Sequence, residues 1–121
     1  MSQELSLSIP IEPPSGNHYK RPNGKGGQFI TKEAKSFYQA VSVIARGETV
    51  EGDAHEVTYV VYQGFGKKGD VDNYAKCILD SLVKCGVLKS DASVVSLHAH
   101  KLRDRENPRT EIRIKSLQEK P

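Results

Sequence analysis

The sequence predicts an α+β fold: two helices packed on a mixed four-stranded sheet, in the order β-α-β-α-β-β. Three observations lead there. Apolar residues alternate with period two over 5–11, 57–62, 93–101 and 111–115. They recur at helical spacing over 34–44 and 71–82. With 121 residues, 36% hydrophobic and 27% charged, the chain can build one modest core, so 1–121 reads as a single domain.

In the first strand Leu5, Leu7, Ile9 and Ile11 line one face, and Pro10 places it at a sheet edge or ends it there. Residues 13–17 read as a turn or extended loop. Residues 18–28 are basic and glycine-rich. They read as a mobile loop or loose hairpin, serving either as a plain connector or as an arm in which glycine lets Lys20, Arg21 and Lys25 adapt to a phosphate backbone. Thr31 caps the first helix, Glu33 sits in its first turn, and Ala34, Phe37, Tyr38, Val41 and Ile44 form its packing stripe up to Gly47.

Val57, Tyr59 and Val61 alternate with Thr58, Val60 and Tyr62, and the apolar character of both sets predicts a strand that is central or buried on both faces. The loop that follows holds Gly64, Gly66, Lys67, Lys68 and Gly69 in a spacing that matches no P-loop, so no nucleotide cofactor is expected. After the second helix, Val95, Leu97 and Ala99 share one strand face. His98 and His100 share the other, as a solvent row or a transition-metal pair. Ile112 and Ile114 mark a last strand, expected to hairpin with the one before it.

Composition narrows the function classes. The net charge of +3 is weakly informative, but its distribution is not uniform. Basic residues cluster at Lys20, Arg21 and Lys25, at Lys67 and Lys68, and at Lys101, Arg103, Arg105 and Arg109, which suits either ordinary solvated loops or a nucleic-acid backbone. Cys77 and Cys85 have no metal-finger spacing and lie too far apart on one helix for a disulfide, which fits a reducing compartment. No signal pattern and no apolar run long enough to span a membrane is present, so a cytoplasmic protein without a membrane partner is expected.

The chemistry concentrates in Gly69-Asp70-Val71-Asp72-Asn73-Tyr74-Ala75-Lys76 and in Asp91. At about 100° per residue, Val71, Tyr74, Ala75, Ile78, Leu79 and Leu82 fall on one arc and Asp72, Asn73, Lys76 and Asp80 on the opposite one. The polar arc can be a plain solvated face, with Asp70 as N-cap and Asp72–Lys76 and Lys76–Asp80 as i,i+4 pairs. Yet two acids crowd one helix start, which a cap does not need, and Gly86 ends the helix shortly before a third acid, Asp91. Three carboxylates from two elements suit a hard cation such as Mg²⁺, for which Mn²⁺ can substitute.

The ordered set Asp70-Val71-Asp72-Asn73, Lys76, Asp80-Ser81-Leu82, Gly86-Val87-Leu88 and Asp91-Ala92-Ser93-Val94-Val95 resembles the RusA-type Holliday junction resolvases. So does the opening Pro13-Pro14-Ser15, Asn17, Tyr19. The resemblance covers nearly the whole chain. It implies a homodimeric, metal-dependent endonuclease acting on four-way junction DNA. It implies metal-binding roles for Asp70, Asp72 and Asp91 and a functional role for Lys76. Asn17, Lys20, Arg21, Lys25, Lys67, Lys68 and Asn73 are the expected DNA contacts. Lys67-Lys68-Gly69 stands where some members are arginine-rich, and Ser90-Asp91 where some carry two acids. The expected chemistry is phosphodiester hydrolysis giving paired symmetric nicks. The rivals are a non-catalytic binder of branched DNA and a nuclease for flaps or forks.

Overall fold

The structure is a computed structural model. It describes residues 4–14, 20–22, 28–64 and 70–117, without the side chains of 20–22 and 28–30. The strands are β1 (Glu4–Ile9), β2 (Lys20–Pro22), β3 (Gln28–Ile30), β4 (Ala54–Gln63), β5 (Val94–Arg103) and β6 (Arg109–Leu117). The helices are α1 (Lys32–Ala45) and α2 (Ala75–Lys84), and two 3-10 turns cover Val71–Tyr74 and Asp91–Ser93. The architecture is the expected α+β sheet and helix pair, with an added two-stranded β2–β3 hairpin in the basic glycine-rich segment.

The sheet order is β1-β6-β4-β5. β1 runs antiparallel to β6, β6 antiparallel to β4, and β4 parallel to β5. This corrects one expectation: β5 and β6 do not form a hairpin but flank β4 on opposite sides. The residues between them cross the end of β4, where the Asp104 N–H donates to the Gln63 carbonyl at 3.0 Å. A Cβ on Gly64 would come within 2.8 Å of Pro108, so the crossing needs a glycine beneath it. Two strands adjacent in sequence and both amphipathic read as a hairpin, and only the long-range partner separates them.

Leu7 and Ile9 of β1, Val57, Tyr59 and Val61 of β4, and Ile112 and Ile114 of β6 form the buried sheet face, under Phe37 and Val41 of α1 and Ile78 and Leu82 of α2. β4 is central, as the alternation implied, but Thr58, Val60 and Tyr62 are only half-buried. β1 lies at an edge and ends before Pro10. Thr31 caps α1, its Oγ1 accepting from the Ala34 N–H at 3.3 Å. The stripe of α1 closes on Ala45 rather than Ile44, which is exposed.

The other edge of the sheet is less covered. Val95 and Leu97 of β5 do not enter the core, and with Leu102 they are 57%, 41% and 54% exposed. β5 is the outermost strand, with a register shift opposite His55/Glu56. No helix among the described residues is long and apolar enough to cross a membrane.

Candidate active site

The acidic motif opens on the 3-10 turn, not directly on an α-helix. Asp70 occupies the N-cap position with extended backbone (φ −76°, ψ 154°), and its carbonyl accepts from the Asn73 N–H at 3.0 Å. Its carboxylate makes no capping bond, so the backbone closes the turn and the charge stays at the surface. Asp72 is likewise exposed.

β4 pins this turn from below. The Tyr59 hydroxyl donates to the Val71 carbonyl at 2.6 Å. Gln63 Nε2 donates to Tyr74 Oη at 2.8 Å. Burial pushes the Tyr59 phenol up to about 12, and the nearby Asp72 charge and then Tyr74 add to the shift. An apolar strand thus fixes the backbone between two acids whose side chains remain in water.

Lys76 lies in the first turn of α2 and pairs with Asp80 at 3.6 Å. A 3-10 turn advances about 120° per residue rather than 100°, so Asp72 and Lys76 do not stand in the relation a continuous α-helix would give them. Asp80 therefore acts as the helix-surface partner of Lys76. On the inner side, Cys77 is held as a thiol by burial, its pKa raised to about 12 with Asp80 adding to the shift. Burial also raises Cys85.

Asp91 starts the second 3-10 turn. Ser90 Oγ accepts from the Ala92 N–H at 3.1 Å, and the Ser93 hydroxyl donates to the Ser90 carbonyl at 2.8 Å. Ser93 Oγ also lies 2.8 Å from Nδ1 of His55, a buried residue of β4. The Asp91 carboxylate is exposed.

β4 and β5 are parallel, so Asp91 sits beside the starting ends of both strands, where Val94 pairs with His55. The Asp70–Asn73 turn bonds to Tyr59 and Gln63, nearer the finishing end. Among the described residues, no three His, Cys, Asp or Glu side chains form a group able to hold a metal ion. A single chain therefore keeps Asp70 and Asp72 on one turn and does not gather Asp91 into a ligand cluster with them. No ion pair among the described residues uses any of the three. Exposed, uncommitted carboxylate oxygens are the donor type that Mg²⁺ takes.

Of the expected DNA contacts, Asn73 is half-buried in the first turn. Lys20 and Arg21 lie in β2, opposite Ile30 and Phe29 of β3. Asn17, Lys25, Lys67 and Lys68 lie outside the described residues. His98 and His100 are exposed, and His98 Nε2 stands 3.3 Å from Glu56 Oε1.

The residues that the motif did not point to are His55, Tyr59 and Gln63. Their signal was parity: they share the buried set of β4 with Val57 and Val61, and a polar group on a buried parity needs a partner.

A family model described as "Endodeoxyribonuclease RusA" matches residues 10–115. The chain is 29% identical over 120 residues to the "Crossover junction endodeoxyribonuclease RusA" of Aquifex aeolicus (strain VF5), covering 95% of this chain and 92% of that protein. It is 30% identical over 108 residues to the "Crossover junction endodeoxyribonuclease rusA" of Enterobacteria phage 82, covering 87% and 89%. The match begins just after β1 and spans both helices, both acidic turns, β4, β5 and most of β6, so the chain belongs to the RusA endodeoxyribonuclease family.

Proposed function

We propose that this protein is a metal-dependent, structure-selective endodeoxyribonuclease that resolves Holliday junctions. The observation that carries the reading is the family match over residues 10–115, within which all four candidate catalytic residues fall. The relatives' names supply the substrate, a crossover junction. The protein acts as a homodimer in a reducing, cytoplasmic setting, for which two free cysteines are the support. Two sites related by a two-fold axis would meet two symmetric strands of a junction, giving paired nicks.

Asp70, Asp72 and Asp91 would hold Mg²⁺ or Mn²⁺. Bound there, the ion supplies Lewis acidity toward a phosphate and a water of lowered pKa. The three acids are not gathered in the isolated chain, so the reading requires assembly with metal, DNA or a second copy to bring Asp91 to the other two. Lys76 supplies positive charge where the phosphorane builds up negative charge; in the isolated chain its ammonium pairs with Asp80, one turn further along α2. Asn73 and the basic residues Lys20, Arg21, Lys25, Lys67 and Lys68 bind the backbone, so affinity falls steeply with salt.

The test is a labelled four-way junction incubated with the protein, with and without Mg²⁺. Wild type should cut only with the metal. Asp70→Asn and Asp72→Asn should bind the junction and leave it whole. Cutting by either variant at the wild-type rate defeats the site assignment. The ungathered acids favour a second reading, a non-catalytic binder of branched DNA. Metal-independent binding with no cutting by wild type would establish it. Faster cutting of flaps or forks would shift the substrate instead.

A further inference from the structure

The seating of Asp91 depends on a group remote from it in sequence. His55 is almost fully buried, and both ring nitrogens are engaged. Nε2 lies 2.9 Å from the Val50 carbonyl oxygen and 3.2 Å from that of Glu51. Carbonyls only accept, so Nε2 carries a hydrogen and donates. Nδ1 faces Ser93 Oγ at 2.8 Å. Ser93 is the last residue of the three-residue turn that Asp91 begins, and its one hydroxyl hydrogen stands between two acceptors, Nδ1 and the Ser90 carbonyl, each 2.8 Å from Oγ. Ser90 in turn caps the Ala92 N–H. Asp91 is thus bracketed: Ser90 fixes one end of its turn, Ser93 the other, and a buried ring ties Ser93 to the central strand. A turn of three residues has little stability of its own, so its orientation comes from such anchors.

We propose that His55 is a positioning residue for Asp91, acting through the Ser93 hydroxyl. The inference rests on the reading of Asp91 as a metal-holding acid. The ring sets the direction in which the Asp91 carboxylate leaves the surface, and with it the ease of completing the ligand set. Among the described residues no hydrogen bond reaches the Asp91 carboxylate itself, so the effect travels through the turn's backbone. Groups that bond a metal ligand directly alter metal affinity or activity by roughly 10- to 100-fold, which sets the scale.

The two nitrogens can be tested separately. In His55→Asn the side-chain amide reaches the position of Nδ1 but not that of Nε2. In His55→Gln it reaches Nε2 but not Nδ1. The full-length variants, with Ser93→Ala and Asp91→Asn, would be compared for thermal midpoint, Mn²⁺ dissociation constant by calorimetry, and kcat and KM on a four-way junction.

His55→Asn should lose the most thermal stability, because two carbonyls lose their donor, yet keep Mn²⁺ affinity and kcat close to wild type. His55→Gln and Ser93→Ala should do the opposite: a smaller thermal loss, Mn²⁺ binding weakened about tenfold or more, kcat lowered, and KM for the junction unchanged. The His55→Gln/Ser93→Ala double variant should be no worse than either alone, as expected of groups in one chain of contacts.

Activity that follows thermal stability across the series, or a Ser93→Ala protein with wild-type Mn²⁺ affinity and kcat, overturns the proposal. Asp91→Asn separates the two layers. If it binds Mn²⁺ and cuts like wild type, the reading of Asp91 itself is wrong. If it is inactive while His55→Gln and Ser93→Ala are normal, only the positioning role is wrong.

Discussion

Tyr59 joins the core to the acidic turn through one hydroxyl. Tyr59→Phe keeps the packing and leaves the Val71 carbonyl without its donor, so it should cost about 1 kcal/mol in urea denaturation. It should also slow junction cutting, because the peptide between Asp70 and Asp72 loses its tether. The phenol carries a pH signature. Its pKa rises from 10.0 to about 12 in the fold, so the folded state favours the neutral form. That contribution is present in full below pH 10 and is lost as pH rises through 12. Tyr59→Phe should therefore flatten the alkaline limb of the stability curve in that window. Lys76 makes the contrasting prediction. Its side chain is 64% exposed and its pair with Asp80 is long, so Lys76→Ala should change stability by less than about 0.5 kcal/mol. If the ammonium meets the transition state, kcat should fall by roughly 100-fold or more. At this scale the acids and the lysine were legible as a motif. Their supports were not, since Tyr59, Gln63 and His55 bond to residues whose nearness only the folded chain creates.

Among the elements, those with local causes were readable: the Thr31 cap, the end of β1 at Pro10 and the end of α2 before Gly86, which takes φ +87°. Elements fixed by distant partners were not. A continuous helix from Val71 has the same apolar spacing as a 3-10 turn followed by α2, and the bonds from β4 select the latter. Alternation in 93–101 identified a strand but not its neighbours, so the exposed edge and the missing hairpin could not be inferred. The entry to β4 gives a test at this scale. Gly52 has φ +115°, and a Cβ there would run into the Ser116 hydroxyl of β6. Gly52→Ala should destabilise by about 1–3 kcal/mol, through backbone strain and displacement of Ser116, measured by chemical denaturation.

At the level of the molecule, the uncovered edge of β5 bears on the proposed homodimer. Val95, Leu97 and Leu102 are the apolar residues of this strand that lack cover, and an open edge strand offers unpaired backbone groups as well. If a second copy seats there, Leu97→Glu should shift sedimentation from dimer to monomer and convert paired nicks into single ones. A wild-type protein that sediments as a monomer at micromolar concentration would rule out the dimer. The fold class was legible because two helical stripes and four alternating runs leave few arrangements for a chain of this size. A seat for a second copy was not, because an exposed leucine on an alternating strand looks the same as a buried one.

The place of β6 has a consequence for synthesis. Residues 109–117 lie between β1 and β4, with Leu7 paired to Ile112 and Tyr59 paired to Ile112 from the other side. β1 must therefore wait for β6, about a hundred residues later, before it gains its sheet neighbour. During translation β1 has no sheet neighbour, and contacts this distant in sequence form slowly. A ribosome stalled before residue 109 would hold a chain that already carries every candidate catalytic residue but lacks the strand that closes the sheet. Nuclease competence would therefore arrive only after residues 109–117 have emerged and inserted between β1 and β4.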